Sequence, residues 1–187
     1  NTGTFSFTQP GDRVDVAAIQ QLSLSPLDAE SAVWGIALMK LQANLPASLP
    51  GQNVTFLLFG DVEVNAEEAD TDDSAPPLQV FYFKSGLNDA PCAEAPDSGI
   101  LVQTPEGAER IDFTVDEVAL TFGSTAYLQA QPGGEMTVSV LEGEVTLEAN
   151  GVTVSVPAGS RARVPLDDDL RASGPPVGPE PYNPDEL

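Results

Sequence analysis

From Glu135 to Leu166 apolar and polar residues alternate with a period of two, and a chain built this way must bury one face of a series of pleated strands. Met136, Val138 and Val140 alternate with Glu135, Thr137 and Ser139, and Val145, Leu147 and Ala149 alternate with Glu144, Thr146 and Glu148. Val152, Val154 and Val156 follow. Leu141-Glu142-Gly143, Asn150-Gly151 and Pro157-Ala158-Gly159-Ser160 separate the runs and read as hairpin turns. Asn150-Gly151 is the strongest of them, because both residues tolerate the positive φ of a two-residue loop. Arg161-Ala162-Arg163-Val164-Pro165-Leu166 closes the meander with its arginines on the outer face.

An echo of this unit lies earlier in the chain. Leu128-Gln129-Ala130 precedes Gly133-Gly134, with Gly134 nine residues before Gly143-Glu144-Val145. Leu41-Gln42-Ala43 likewise precedes Pro50-Gly51, with Gly51 nine residues before Gly60-Asp61-Val62. The spacing predicts two related hairpin-rich halves. Further strands are predicted at Thr4 to Thr8, Val14 to Leu24, Trp34 to Ala43, Val54 to Val64, Leu78 to Lys84, Ile100 to Gln103 and Arg110 to Phe122, with one helical turn at Pro26 to Ser31. The expected class is all-β, an antiparallel sandwich or a short β-solenoid.

The expected organisation is an N-terminal arm (1–13), a first β unit (14–84), a loop (85–98), a second β unit (99–166) and an acidic Pro- and Gly-rich tail (167–187). With Pro175, Pro176, Pro179 and Pro181, the tail lacks the donors of a central strand and should run extended over the surface.

Composition narrows the function. Against 7 Lys and Arg stand 29 Asp and Glu, a net charge of −22 that repels nucleic acid and anionic membrane surfaces. No run approaches the ~20 apolar residues of a membrane-spanning helix. The chain has no histidine, which removes the commonest general base and zinc ligand. Its single cysteine, Cys92, has no basic neighbour to form a thiolate. Acidic residues such as Glu142, Glu144 and Glu148 alternate as on a solvated strand face, so no catalytic residue is assigned and a non-enzyme is expected.

Three candidate sites remain. Thr4, Phe5, Ser6, Phe7 and Thr8 form an isolated strand, set apart by Gln9-Pro10-Gly11-Asp12, that could complete a neighbouring copy's sheet. Trp34, Tyr82 and Tyr127 are candidates for stacking on a ligand such as a glycan. Calcium is the one cofactor for which the sequence leaves room, held weakly by Glu67, Asp70, Asp72 and Asp73.

Gly123-Ser124-Thr125, Val140-Leu141-Glu142-Gly143-Glu144-Val145 and Val154-Ser155-Val156-Pro157-Ala158-Gly159-Ser160-Arg161 resemble the FecR-type domain of bacterial envelope and secreted proteins over about Gln103 to Leu166. The earlier segment with Leu45-Pro46 and Leu49-Pro50-Gly51-Gln52-Asn53-Val54-Thr55 resembles the N-terminal part of uncharacterised secreted bacterial proteins carrying that domain. The resemblance implies a mostly β, secreted or cell-surface module with no catalytic residues to carry over. The expectation is a non-enzymatic structural subunit that associates with copies of itself into a filament or surface layer. The alternatives are a monomeric surface module binding a glycan or another envelope protein, and an envelope signalling domain.

Overall fold

The structure, a computed structural model, describes residues 8–9, 12–15, 18–28, 30–31, 33–41, 53–66, 80–86, 97–105, 110–123 and 125–183. In chain order the strands are β1 (Gln21–Ser23), β2 (Ile36–Leu41), β3 (Val54–Phe59), β4 (Val62–Asn65), β5 (Val80–Ser85), β6 (Gly99–Gln103) and β7 (Ile111–Val115). They continue with β8 (Val118–Phe122), β9 (Thr125–Ala130), β10 (Glu135–Glu142), β11 (Glu144–Ala149), β12 (Val152–Pro157), β13 (Ser160–Pro165) and β14 (Val177–Pro181). Sheet I runs β1-β4-β5-β7-β8-β11-β12 and sheet II runs β14-β13-β10-β9-β6-β3-β2. The protein is an all-β sandwich, paired antiparallel except where β5 meets β7 in parallel.

Alternation fills the space between the sheets. Val54, Phe56 and Leu58 of β3 point inward, as do Val62 and Val64 of β4, Met136 and Val138 of β10, and Val145 and Leu147 of β11. Phe56 of sheet II meets Phe81 and Phe113 of sheet I edge-on, with centroids 6.2 and 5.3 Å apart, and Phe113 meets Phe122 at 5.8 Å. Edge-to-face aromatic packing adds to the area these rings bury.

The topology repeats. In sheet I β4 pairs with β1 and β5, while in sheet II β3 pairs with β2 and β6. Seven strands later β11 pairs with β8 and β12, while β10 pairs with β9 and β13. Strands β1 to β6 and β8 to β13 therefore trace the same path side by side. They are joined directly in sheet II by β6 and β9, and through β7 in sheet I.

Several expectations are corrected. The turns at Leu141-Glu142-Gly143 and Pro157-Ala158-Gly159-Ser160 are corners carrying the chain from one sheet to the other, because β10 is already paired on both sides. Gly143 (φ 67°) and Gly159 (φ 77°) make these corners, and Ala158 N donates to Gly143 O at 2.9 Å, tying one to the other. Only Asn150-Gly151 closes a hairpin of that run. Val54 to Val64 breaks at Gly60 in the same way, into β3 and β4. Arg110 to Phe122 is a hairpin whose turn, Asp116-Glu117, has positive φ at both residues (51° and 61°). Among the described residues of Val14 to Leu24 only Gln21–Ser23 is a strand. In place of a helical turn at Pro26 to Ser31, a bridge joins Asp28 to Val33. The Asp28 carboxylate accepts Glu30 N and Ser31 N, which holds its pKa below the usual value, the Ser31 hydroxyl bond contributing most. Strand β2 begins at Ile36, not Trp34.

The tail returns as an edge strand. Strand β14 pairs with β13, and Glu180 reaches Arg161 Nε at 3.1 Å and Arg163 at 2.7 Å. Ser139 in β10 is fully buried and its Oγ has no partner. Ser139→Ala is therefore expected to leave stability unchanged or to raise it by up to about 1 kcal/mol in urea denaturation, since the change removes an unsatisfied hydroxyl. A loss of more than that would show that the hydroxyl is bonded.

Candidate functional site

The two ends of the sandwich differ. At one end sheet II closes with β14, whose Pro179 and Pro181 lack the N–H groups another strand would need. At the other end sheet II stops at β2, where no described strand pairs with the outer side. Strand β2 turns Met39 and Leu41 into the core and leaves Ile36 (55% exposed), Leu38 (62%) and Lys40 on the outer face.

Register extends this apolar strip inward. Leu38 lies opposite Leu57 of β3, Leu57 opposite Leu101 of β6, and Leu101 opposite Tyr127 of β9. Ile36 lies opposite Phe59, which stacks on Tyr127 with centroids 5.8 Å apart and meets Trp34 edge-on at 6.3 Å. The row from Leu38 through Leu101, with Thr55 and Gln103 beside it, carries no carboxylate in a chain of net charge −22. Ile36 and Leu38 are exposed and Leu57 and Leu101 half-buried behind them, and an apolar strip that opens on an unpaired edge is the signature of a contact surface.

Sequence reasoning missed this strip because Ile36 to Leu41 is apolar on both faces apart from Lys40, which reads as a strand buried twice. The only local signal was that unbroken run in so acidic a chain.

Of the stacking candidates, Tyr127 is 4% and Tyr82 9% exposed. The Tyr127 hydroxyl donates to Asp97 O and its ring is stacked on Phe59, while the Tyr82 hydroxyl donates to Glu117 Oε1 at 3.1 Å. Both rings are spent on packing and neither offers a face to a sugar. Burial, and then the Glu117 bond, raises the Tyr82 pKa. Trp34 is half-buried beside the strip and is linked to Tyr127 through Phe59. Thr4 to Phe7 and the calcium candidates Glu67, Asp70, Asp72 and Asp73 lie outside the described residues, as does Cys92. Thr8 is exposed and its N–H donates to Asp12 Oδ2 at 2.8 Å. Among the described residues no three metal-ligating side chains gather, and the Asp167 carboxylate accepts Asp169 N and Arg171 N from its own loop.

A second unusual group is Asp116, fully buried in its turn. Its Oδ1 accepts Phe83 N at 2.8 Å and its Oδ2 has no partner. Burial holds its pKa well above the usual carboxylate value, against the opposing effect of the Phe83 bond. An apolar crevice lined by Met39, Leu41, Phe56, Val64, Phe81 and Ile100 presents no polar atom.

Among the described residues no helix is long and apolar enough to cross a membrane. No protein-family profile matches the chain, and no curated protein sequence does. Two crystal structures from Parabacteroides distasonis ATCC 8503, each described as a candidate anti-sigma factor, align with the chain. One aligns at TM-score 0.50 and 9% identity over 86% of this chain and 60% of that one. The other aligns at 0.49 and 8% over 87% and 61%. The chain thus spans about 60% of the proteins it resembles, and the likeness is one of β-sandwich architecture.

Proposed function

We propose that this chain is a non-enzymatic module of the bacterial envelope that works by protein contact, as the extracytoplasmic part of a signalling or surface protein. The observation that carries the proposal is the carboxylate-free apolar strip on the unpaired β2 edge, with Ile36 and Leu38 more than half exposed. A sheet edge recognises protein through main-chain hydrogen bonds, with side chains on alternate positions giving selectivity. The FecR-type pattern at Val140 to Val145 and Val154 to Arg161 supports an envelope setting. So does the architecture shared with a protein described as a candidate anti-sigma factor. The absence of histidine from the whole sequence accords with a role outside catalysis.

The test is a photocrosslinking residue at position 38, introduced in a bacterium that makes the protein. The expected result is one discrete protein adduct, formed outside the cytoplasmic membrane and absent when the probe replaces Val177 at the opposite end. Retention of the protein in the cytoplasm, or equal labelling from both positions, would overturn the reading.

A further inference from the structure

We propose that the β2 edge pairs with the same edge of a second copy, antiparallel about a two-fold axis through Leu38, so that sheet II continues from one molecule into the next. The inference rests on the protein-contact reading and names its partner.

The backbone sets the geometry. Gly60 N donates to Gly35 O at 3.0 Å, one step beyond the Ile36 and Phe59 pair of the β2–β3 register. That bond sets Gly35 in the hydrogen-bonded series of the β2–β3 ladder, although its own N–H turns to Ser25 O at 3.0 Å, and the positions of that series recur at every second residue. The N–H and C=O groups of Ala37, Met39 and Leu41 therefore face β3, and those of Ile36, Leu38 and Lys40 face the open side. With Leu38 opposite its own copy, Ile36 falls opposite Lys40. Three residues on each side then exchange both groups, giving about six main-chain hydrogen bonds.

Charge selects this contact over others. Two bodies of net charge −22 repel wherever carboxylates meet, and the β2 strip is a place where they do not. In the proposed register the two Lys40 side chains start about 13 Å apart, four residues along the strand, beyond the ~8 Å screening length of physiological salt. The β14 end, with its prolines, cannot continue the sheet, so the assembly closes as a two-fold dimer instead of extending as a fibre. On the outer face Leu38 packs against its counterpart at the axis, and Ile36 lies along the Lys40 stem.

Sedimentation equilibrium on the intact chain tests the proposal. A dimer is expected at protein concentrations up to about 100 µM, and it should tighten as salt rises, because screening removes the long-range repulsion. Leu38→Lys sets two ammonium groups opposite each other on a solvent-exposed position and should weaken the dimer about tenfold or more without changing the monomer's denaturation curve. Val177→Lys should leave the dimer unchanged. A wild-type protein that stays monomeric, or a dimer indifferent to Leu38→Lys, overturns the inference. If the monomer persists while a probe at position 38 still captures another envelope protein, the second copy falls and the contact reading stands. Amide-exchange protection of β2 in the monomer that disappears when residues 1–8 are removed would make the N-terminal arm the occupant, and would also overturn the inference.

Discussion

Gly60→Ala is expected to cost about 3 kcal/mol or more, a large share of the ~5–15 kcal/mol that holds a domain together. Two effects add. Gly60 sits at φ 79°, where a residue with a Cβ is strained by about 1–2 kcal/mol. The new methyl would also lie 2.0 Å from Ser98 Oγ and 2.7 Å from Ser98 Cβ. Ser98 is buried and its hydroxyl accepts Asp61 N at 2.8 Å, so moving it away breaks a bond worth about 1 kcal/mol and opens the joint between β3 and β4. Gly151→Ala provides the comparison, since Gly151 has a similar φ of 74° but no atom within 4 Å of its would-be Cβ. Its cost should be the conformational ~1–2 kcal/mol alone. Urea denaturation of both variants gives the difference. Equal losses would mean that Ser98 yields freely and that the corner is looser than its geometry indicates.

That corner also shows how far local pattern reaches. Period-two alternation located β10 to β13 almost residue for residue, because alternation reports which side of a strand is buried. It cannot report which strand lies beside it. Hairpins and sheet-to-sheet corners both consist of alternation, a glycine at positive φ and renewed alternation, so Gly143 and Gly159 read as hairpin turns, and Gly60 as the middle of one strand, when each is a crossing between layers. The pairing partners come from segments 20 to 48 residues away, such as β10 with β13 or β3 with β6, and no local signal carries that information. The Asp116-Glu117 turn was illegible for a different reason. It has no glycine, asparagine or proline, and it holds positive φ because β7 and β8 close tightly on either side. The echo of Leu41 to Val64 in Leu128 to Val145 did foreshadow the repeated strand path, since Gly60 and Gly143 occupy the same corner in it. The candidate edge was the least legible part. Whether Ile36 and Leu38 are core or surface depends on where sheet II ends, and Tyr82 and Tyr127 attracted notice as aromatics when their rings belong to the packing.

Asp116→Asn is expected to raise stability at neutral pH and to remove a pH dependence that the wild type carries. Strands β5 and β7 pair in parallel only over Val80 with Thr114 and Phe81 with Val115. Beyond that the chain turns away, Asp116 N still donates to Phe81 O at 3.2 Å, and the Asp116 carboxyl takes the place of the missing strand by accepting Phe83 N. One carboxyl oxygen is thereby used and the other is buried with no partner. The neutral acid tolerates this site better than the carboxylate, which is why its folded pKa lies well above the unfolded value of 3.8. The folded state then holds the proton more tightly than the unfolded chain. The stability from this group is fully present below about pH 3.8 and is lost as pH rises through the raised folded value. Asparagine keeps an acceptor for Phe83 N and tolerates the positive φ, but has no proton to lose. The gap between variant and wild type should therefore be small near pH 4 and widen with rising pH to about 1–3 kcal/mol, the cost of leaving a buried polar group poorly satisfied. Asp116→Ala, which removes the acceptor at every pH, should instead lose stability across the whole range. Urea denaturation from pH 4 to pH 8 reads all three proteins. Wild type and variant differ only at position 116, so the difference between the two curves reports on Asp116. A gap that does not change with pH, or an Asn variant less stable than wild type at pH 8, would show that the buried carboxylate is ionised at no cost and that the β5 to β7 junction is held by charge, not by a neutral hydrogen bond.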